Sequence, residues 1–115
     1  MIRAAHVVIY SRDADADRAF FRDVLGLSSV DAGDGWLIFA LPPSEVAFHP
    51  SDENDVHELY LICDDLPATV KELHEHGVSC SEPIEAPWGV RTSFRLPGGG
   101  EIGLYQPRHP VVFAS

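Results

Sequence analysis

Cationic side chains are scarce in this sequence: 8 lysines and arginines stand against 18 aspartates and glutamates, a formal net charge of −10 over 115 residues. A nucleic-acid backbone or an anionic membrane surface repels such a chain unless a local basic patch exists, and the basic residues here are scattered. Neither kind of partner is expected. Long apolar runs are missing too, since nothing approaches the roughly 18 consecutive apolar residues of a membrane span and no charged-then-apolar leader opens the chain. The expected location is therefore the cytoplasm. Only two cysteines occur, Cys63 and Cys80. They lack metal-ligand spacing, and a chain of this size folds without staples, so reduced core thiols are expected rather than a disulfide. Two enzyme signatures are also absent. Gly98-Gly99-Gly100 follows a proline and enters a strand rather than a helix, which excludes a Walker or dinucleotide phosphate cradle. No nucleophile elbow is present.

What is present begins with apolar content of 45%, enough for one domain with its own core over residues 1–115 and too little chain for two. The run HVVIY, residues 6 to 10, is β-branched and aromatic and reads as a strand. Asp13, Asp15 and Asp17 then supply an acidic helix start, Phe20 with Val24 and Phe21 with Leu25 recur at i,i+4, and Gly26 closes the helix. Strands are expected at 27–31, 36–41 and 45–49, punctuated by Gly33 to Gly35 and Pro42-Pro43. The same grammar then repeats. ELYLICDD, residues 58 to 65, is a strand ending in acids, Leu66, Val70 and Leu73 share a helix face, and Gly77 ends it. Further strands are expected at 78–81, 90–96 and 101–106. The chain thus reads as two β-α-β-β-β modules, residues 4–50 and 57–107, followed by a tail at 108–115.

The repeat has a register. His6 to Asp13 and Glu58 to Asp65 are equal steps in sequence, and so is His57 to Asp64. Patterning favours Glu58, because that choice puts Leu59 and Leu61 with Val7 and Ile9 on the helix-covered face, whereas the other buries a carboxylate there.

A short acidic chain of two such modules resembles the vicinal oxygen chelate superfamily, which includes glyoxalase I, extradiol dioxygenases and bleomycin-resistance-type binding proteins. The segments that carry the resemblance are HVVIYSRDADADRAFFRDVLGL, ELYLICDDLPATVKELHEHGV and WGVRTSFRLPGGGEIGLYQP, and it spans about residues 4 to 107. The resemblance implies an α+β fold in which the two modules form a cup-shaped, half-open barrel, and a homodimer as the assembly. It also implies a divalent metal (Zn, Ni, Fe or Mn) held by the first and last strands of each module. Carried over, those positions are His6, Ala47, Glu58 and Gly103, so only His6 and Glu58 keep ligand side chains and the site is incomplete. His49 and Glu101 lie two residues from Ala47 and Gly103, roughly 6.6 Å along a strand. They cannot simply substitute at bonds of about 2 Å, although a displaced site using His6, His49, Glu58 and Glu101 remains open.

Three functions follow as expectations. The first is a binder of a small aromatic or hydrophobic metabolite with a degenerate metal site, in which Gly103 faces the cup and leaves room for the molecule or lets backbone approach. Tyr60 and Tyr105 would supply aromatic walls, Trp88 a stacking surface and Arg91 a hold on a carboxylate or phosphate, with His49, Glu101 and Gly103 bordering the pocket. The second is a glyoxalase- or dioxygenase-type enzyme on a shifted metal, or on a metal-free His6/Glu58 acid–base pair. The third is an interaction scaffold with a filled cup. Each aromatic residue also suits an ordinary core. His74 and His76 read as helix C-terminal groups, and the tail histidine, His109, has no role assigned by its sequence context.

Overall fold

A computed structural model describes residues 6–45, 47–48 and 50–110. Two helices and six strands run in the order α1 (Ala14–Asp23), β1 (Ser29–Asp31), β2 (Leu37–Phe39), β3 (Tyr60–Ile62), α2 (Leu66–Glu75), β4 (Ile84–Ala86), β5 (Gly89–Arg95) and β6 (Glu101–Pro107). β1 and β2 form an antiparallel pair, and the remaining strands form a sheet of order β3-β6-β5-β4 in which only β3 and β6 are parallel. The fold is α+β with open sheets, in keeping with a half-open cup.

The helices obey the internal repeat to the residue. α1 and α2 start and end 52 positions apart, and each is capped by an aspartate, Asp13 accepting from the Ala16 amide and Asp65 from the Ala68 amide, both at 3.1 Å. A carboxylate there satisfies an orphan amide and meets the positive end of the helix dipole. Gly26 and Gly77 follow the helices with φ of +68° and +79°, a left-handed turn that glycine adopts without a Cβ penalty.

Alternation on the longer strands places the core. Phe94 on β5 and Ile102 and Leu104 on β6 point to the helix-covered side, where they pack with Phe20, Phe21, Leu66, Leu73 and Leu96. Leu59 and Leu61 join the edge of this cluster, as the Glu58 register requires. α1 ties the two sheets together, since the Phe20 ring centroid lies 5.9 Å from Phe94 and that of Phe21 lies 5.6 Å from Phe39. A second tie is polar: buried Asp17 accepts from the Gly98 amide at 2.8 Å. A side chain at position 98 would run into Ser11 Oγ and Asp17, so the first glycine of the triplet is needed for this close approach.

Three strand expectations need correction, and one strand was not anticipated. Residues 6–10 form no strand, and Val7 and Ile9 are exposed instead of packing beside Leu59 and Leu61. Their peptide groups find no ladder partner among the described residues, and a β-branched run without one has nothing to hold it extended against a core. The expected strand at 45–49 is likewise absent at its described positions, and Val46 and His49 lie outside the described residues. The strand expected at 78–81 reduces to one bridge, Cys80 to Phe94. The edge strand is β4 instead, which turns back through Pro87-Trp88 into β5 with Ala86 paired to Gly89. Pro83 and Pro87 masked it, because prolines that cannot donate to a ladder are tolerated on an edge.

Candidate functional site: an aromatic floor on the open face of the sheet

The face opposite the core is set by register. Tyr60 pairs with Gly103 and Gly103 with Ser93, while Ile62 pairs with Tyr105 and Tyr105 with Arg91. Directly opposed residues share a face, so Tyr60, Gly103, Tyr105 and Arg91 stand together away from the helices. The side chain that Gly103 lacks is replaced by its neighbour's ring, since a Cβ at position 103 would collide with Tyr60. The glycine therefore makes room for Tyr60.

Around it the rings meet edge to face. Tyr60 and Tyr105 have centroids 5.6 Å apart at 89°, and Trp88 and Tyr105 are 5.7 Å apart at 80°. Trp88 sits at the tip of the β4–β5 hairpin, where its carbonyl accepts from the Arg108 amide at 2.8 Å. Gly89, at φ +155°, lets the hairpin press on β6, for a Cβ there would lie 2.5 Å from the Gln106 carbonyl oxygen. Trp88 remains 40% exposed, available to cover a bound molecule.

Polar groups border the floor at both ends. At one end the Tyr60 hydroxyl donates to Glu58 Oε2 at 3.3 Å. At the other the Tyr105 hydroxyl lies 3.0 Å from His109 Nε2 and 3.5 Å from Glu45 Oε1. Burial, then the Glu45 charge, pushes the Tyr105 phenol above its ordinary pKa, so it stays neutral in the physiological range. Arg91 stands across from Tyr105, and its guanidinium makes no hydrogen bond or ion pair among the described residues. Behind the floor, the Cys63 thiol donates to the Tyr105 carbonyl at 3.7 Å, and burial raises its pKa, as it does that of Cys80. Both cysteines are free thiols.

The structure thus assembles Tyr60, Trp88, Arg91, Gly103 and Tyr105, with Glu58 attached through Tyr60. It leaves others outside the group. His6 is exposed and forms no hydrogen bond with Glu58 or any other described residue. Glu101 is exposed at the far end of β6, opposite Arg95. His49 lies outside the described residues. His76 caps its helix, Nδ1 lying 2.9 Å from the Glu72 carbonyl. Glu45 and His109 were not anticipated. Glu45 could have been found because it precedes Ala47 by two residues as Glu101 precedes Gly103, whereas His109 comes close through a bend beyond the end of β6.

Two of the positions that the resemblance assigns to metal ligands lack a side-chain donor. Ala47 and Gly103 carry no donor atom, the space beside Gly103 is filled by the Tyr60 ring, and no three His, Cys, Asp or Glu side chains cluster among the described residues.

A family model described as the glyoxalase/bleomycin resistance protein/dioxygenase superfamily matches residues 3–104. The chain belongs to that superfamily. None of the curated proteins compared matches it. Among solved structures it is similar to TnmS3, an antibiotic binding protein from Streptomyces sp. CB03234, at 27% identity with a TM-score of 0.66, over 93% of this chain and 99% of that one. A glyoxalase/bleomycin resistance protein from the same organism shares 27% identity with a TM-score of 0.61, over 85% and 95% of the two chains. A lactoylglutathione lyase from Agrobacterium tumefaciens shares the fold at 20% identity and a TM-score of 0.63, over 90% and 92%.

Proposed function

We propose that this protein binds a small aromatic or hydrophobic metabolite on the floor formed by Tyr60, Tyr105 and Trp88, with the family's metal site degenerate. The observation that carries this reading is at Gly103, where the Tyr60 ring fills the space a side chain would take, at a position to which the resemblance assigns a ligand carboxylate. Edge-to-face rings present apolar area with electropositive edges and polar tips, which suits a planar guest. Arg91, opposite Tyr105 and without an ion-pair partner among the described residues, suits a carboxylate or phenolate on that guest. The similarity to an antibiotic binding protein supports a sequestering role.

The cup is completed in this reading by a second copy of the chain, whose modules would cover the open face and give the exposed segment 6–10 a partner. The assembly is a homodimer in the cytoplasm.

Thermal unfolding in the presence of a panel of fused-ring aromatic acids tests the proposal. A guest at 100 times its Kd stabilises the folded state by about 2.7 kcal/mol, so a clear rise in Tm is expected in the native chain and a much smaller one in Tyr105→Ala and Trp88→Ala. Equal shifts in all three proteins, or none in any, would sink it. Tight binding accompanied by turnover of the guest would replace sequestration with catalysis.

A further inference from the structure

With His109 neutral, geometry fixes the hydrogens at the polar end of the aromatic floor; a protonated ring would instead pair through Nε2 with Glu45 Oε1, 3.9 Å away. His109 Nδ1 lies 2.8 Å from the Pro110 carbonyl oxygen. That oxygen can only accept, so Nδ1 carries the ring hydrogen. The neutral imidazole then has a bare Nε2, an acceptor, 3.0 Å from the Tyr105 hydroxyl. Tyr105 must be the donor. The other group in reach, Glu45 Oε1 at 3.5 Å, is again an acceptor. The one hydrogen of the hydroxyl is committed to its protein neighbours, and what the Tyr105 oxygen has left for a guest is a lone pair.

We infer that His109 is a positioning residue that makes the Tyr105 hydroxyl an acceptor, so that the cup selects aromatic ligands carrying a hydrogen-bond donor, such as a phenolic hydroxyl, over isosteres that lack one. This rests on the reading of the floor as a small-molecule site and names the chemistry of its guest. A guest hydroxyl at this end donates to the Tyr105 oxygen while its ring lies among Tyr60, Tyr105 and Trp88. An ether oxygen in the same place sets lone pair against lone pair and leaves both acceptors unmatched. Sites built on a specific hydrogen bond reject such analogues far more strongly than apolar pockets reject a change of size. The tail acts on the site through His109, whose ring also lies against Tyr105 at 6.0 Å between centroids.

Calorimetric titration of the full chain at neutral pH with 2-naphthol and with 2-methoxynaphthalene provides the test. The naphthol is expected to bind about tenfold more tightly, the equivalent of one well-made hydrogen bond. His109→Phe keeps an aromatic ring against Tyr105 but removes the nearer acceptor and should lower the ratio of the two affinities, and His109→Phe combined with Glu45→Ala, which removes the second acceptor at 3.5 Å as well, should bring it close to one. His109→Gln offers an amide oxygen in its place and should restore the preference. Equal binding of the two probes by the native protein, or a ratio unchanged in His109→Phe, overturns the inference and leaves aromatic binding standing. Failure of both probes to bind overturns the binding reading and this inference with it.

Discussion

At the scale of single residues, Gly103 and Tyr60 are one feature divided between two strands. Adding a methyl group at position 103 forces the Tyr60 ring outward from its base, which a rotamer change at the ring tip cannot relieve. Overpacking of this kind costs about 1–3 kcal/mol. Urea denaturation of Gly103→Ala should show that loss, and Tyr60→Ala combined with Gly103→Ala should lose clearly less than the two single changes together, because the clash is gone. Additive losses would mean that the glycine serves the backbone alone. Tyr105 allows a second check at this scale. Burial, then the Glu45 carboxylate, holds its folded pKa above the unfolded value of about 10. Its contribution to stability is complete below that unfolded value and is lost as pH rises through the folded one. Ultraviolet difference titration should find Tyr105 ionising above the ordinary phenol range, with Glu45→Gln moving it back toward that range. The inward direction of Tyr60, Gly103 and Tyr105 was readable from strand parity. That Tyr60 fills the glycine's space was not, because pattern gives a face and not a rotamer.

At the scale of elements, the helices were the most legible part of the sequence. Each carries its own start and stop: Asp13 with Gly26, and Asp65 with Gly77. Such local signals need no tertiary partner, and for that reason they survive translation from sequence to structure. Replacing either cap by alanine should cost about 0.5–2 kcal/mol, measured by chemical denaturation, with Asp13→Asn and Asp65→Asn nearly neutral. Equal losses for alanine and asparagine would point to the negative charge rather than the cap hydrogen bond. Short strands were less legible because their existence depends on a neighbour. HVVIY has the stronger β composition and forms no strand, while IEA, between two prolines, forms β4 because β5 lies alongside it. His109 was the least legible residue, since it reaches Tyr105 from beyond the end of β6, where no periodicity announces the contact.

At the scale of the whole molecule, the open question is what covers the surface that one chain leaves bare. Tyr10 is 93% exposed and Phe48 90%, with Val7 and Val8 more than half exposed, and an exposed apolar run such as 7–10 suits an interaction surface. The proposed homodimer gives these residues a partner, and it makes a prediction that separates it from a monomer. If the chain is a monomer, Val8→Asp changes a solvent-exposed site and should leave stability within about 0.5 kcal/mol of the native value. If the second copy buries this segment, the same substitution places an unpaired carboxylate in an apolar interface, and dimer and stability should fall together. Sedimentation equilibrium at micromolar concentration is expected to give twice the chain mass for the native protein and a shift toward the single chain for Val8→Asp. The native Tm should also rise with protein concentration, as mass action requires for a folded state that is associated. A native protein sedimenting as a single chain, with a Tm independent of concentration and indifferent to Val8→Asp, would leave the aromatic floor open to solvent. A guest would then have to be held by Tyr60, Tyr105 and Trp88 from one side only, so mass measurement and aromatic titration belong in the same series of experiments.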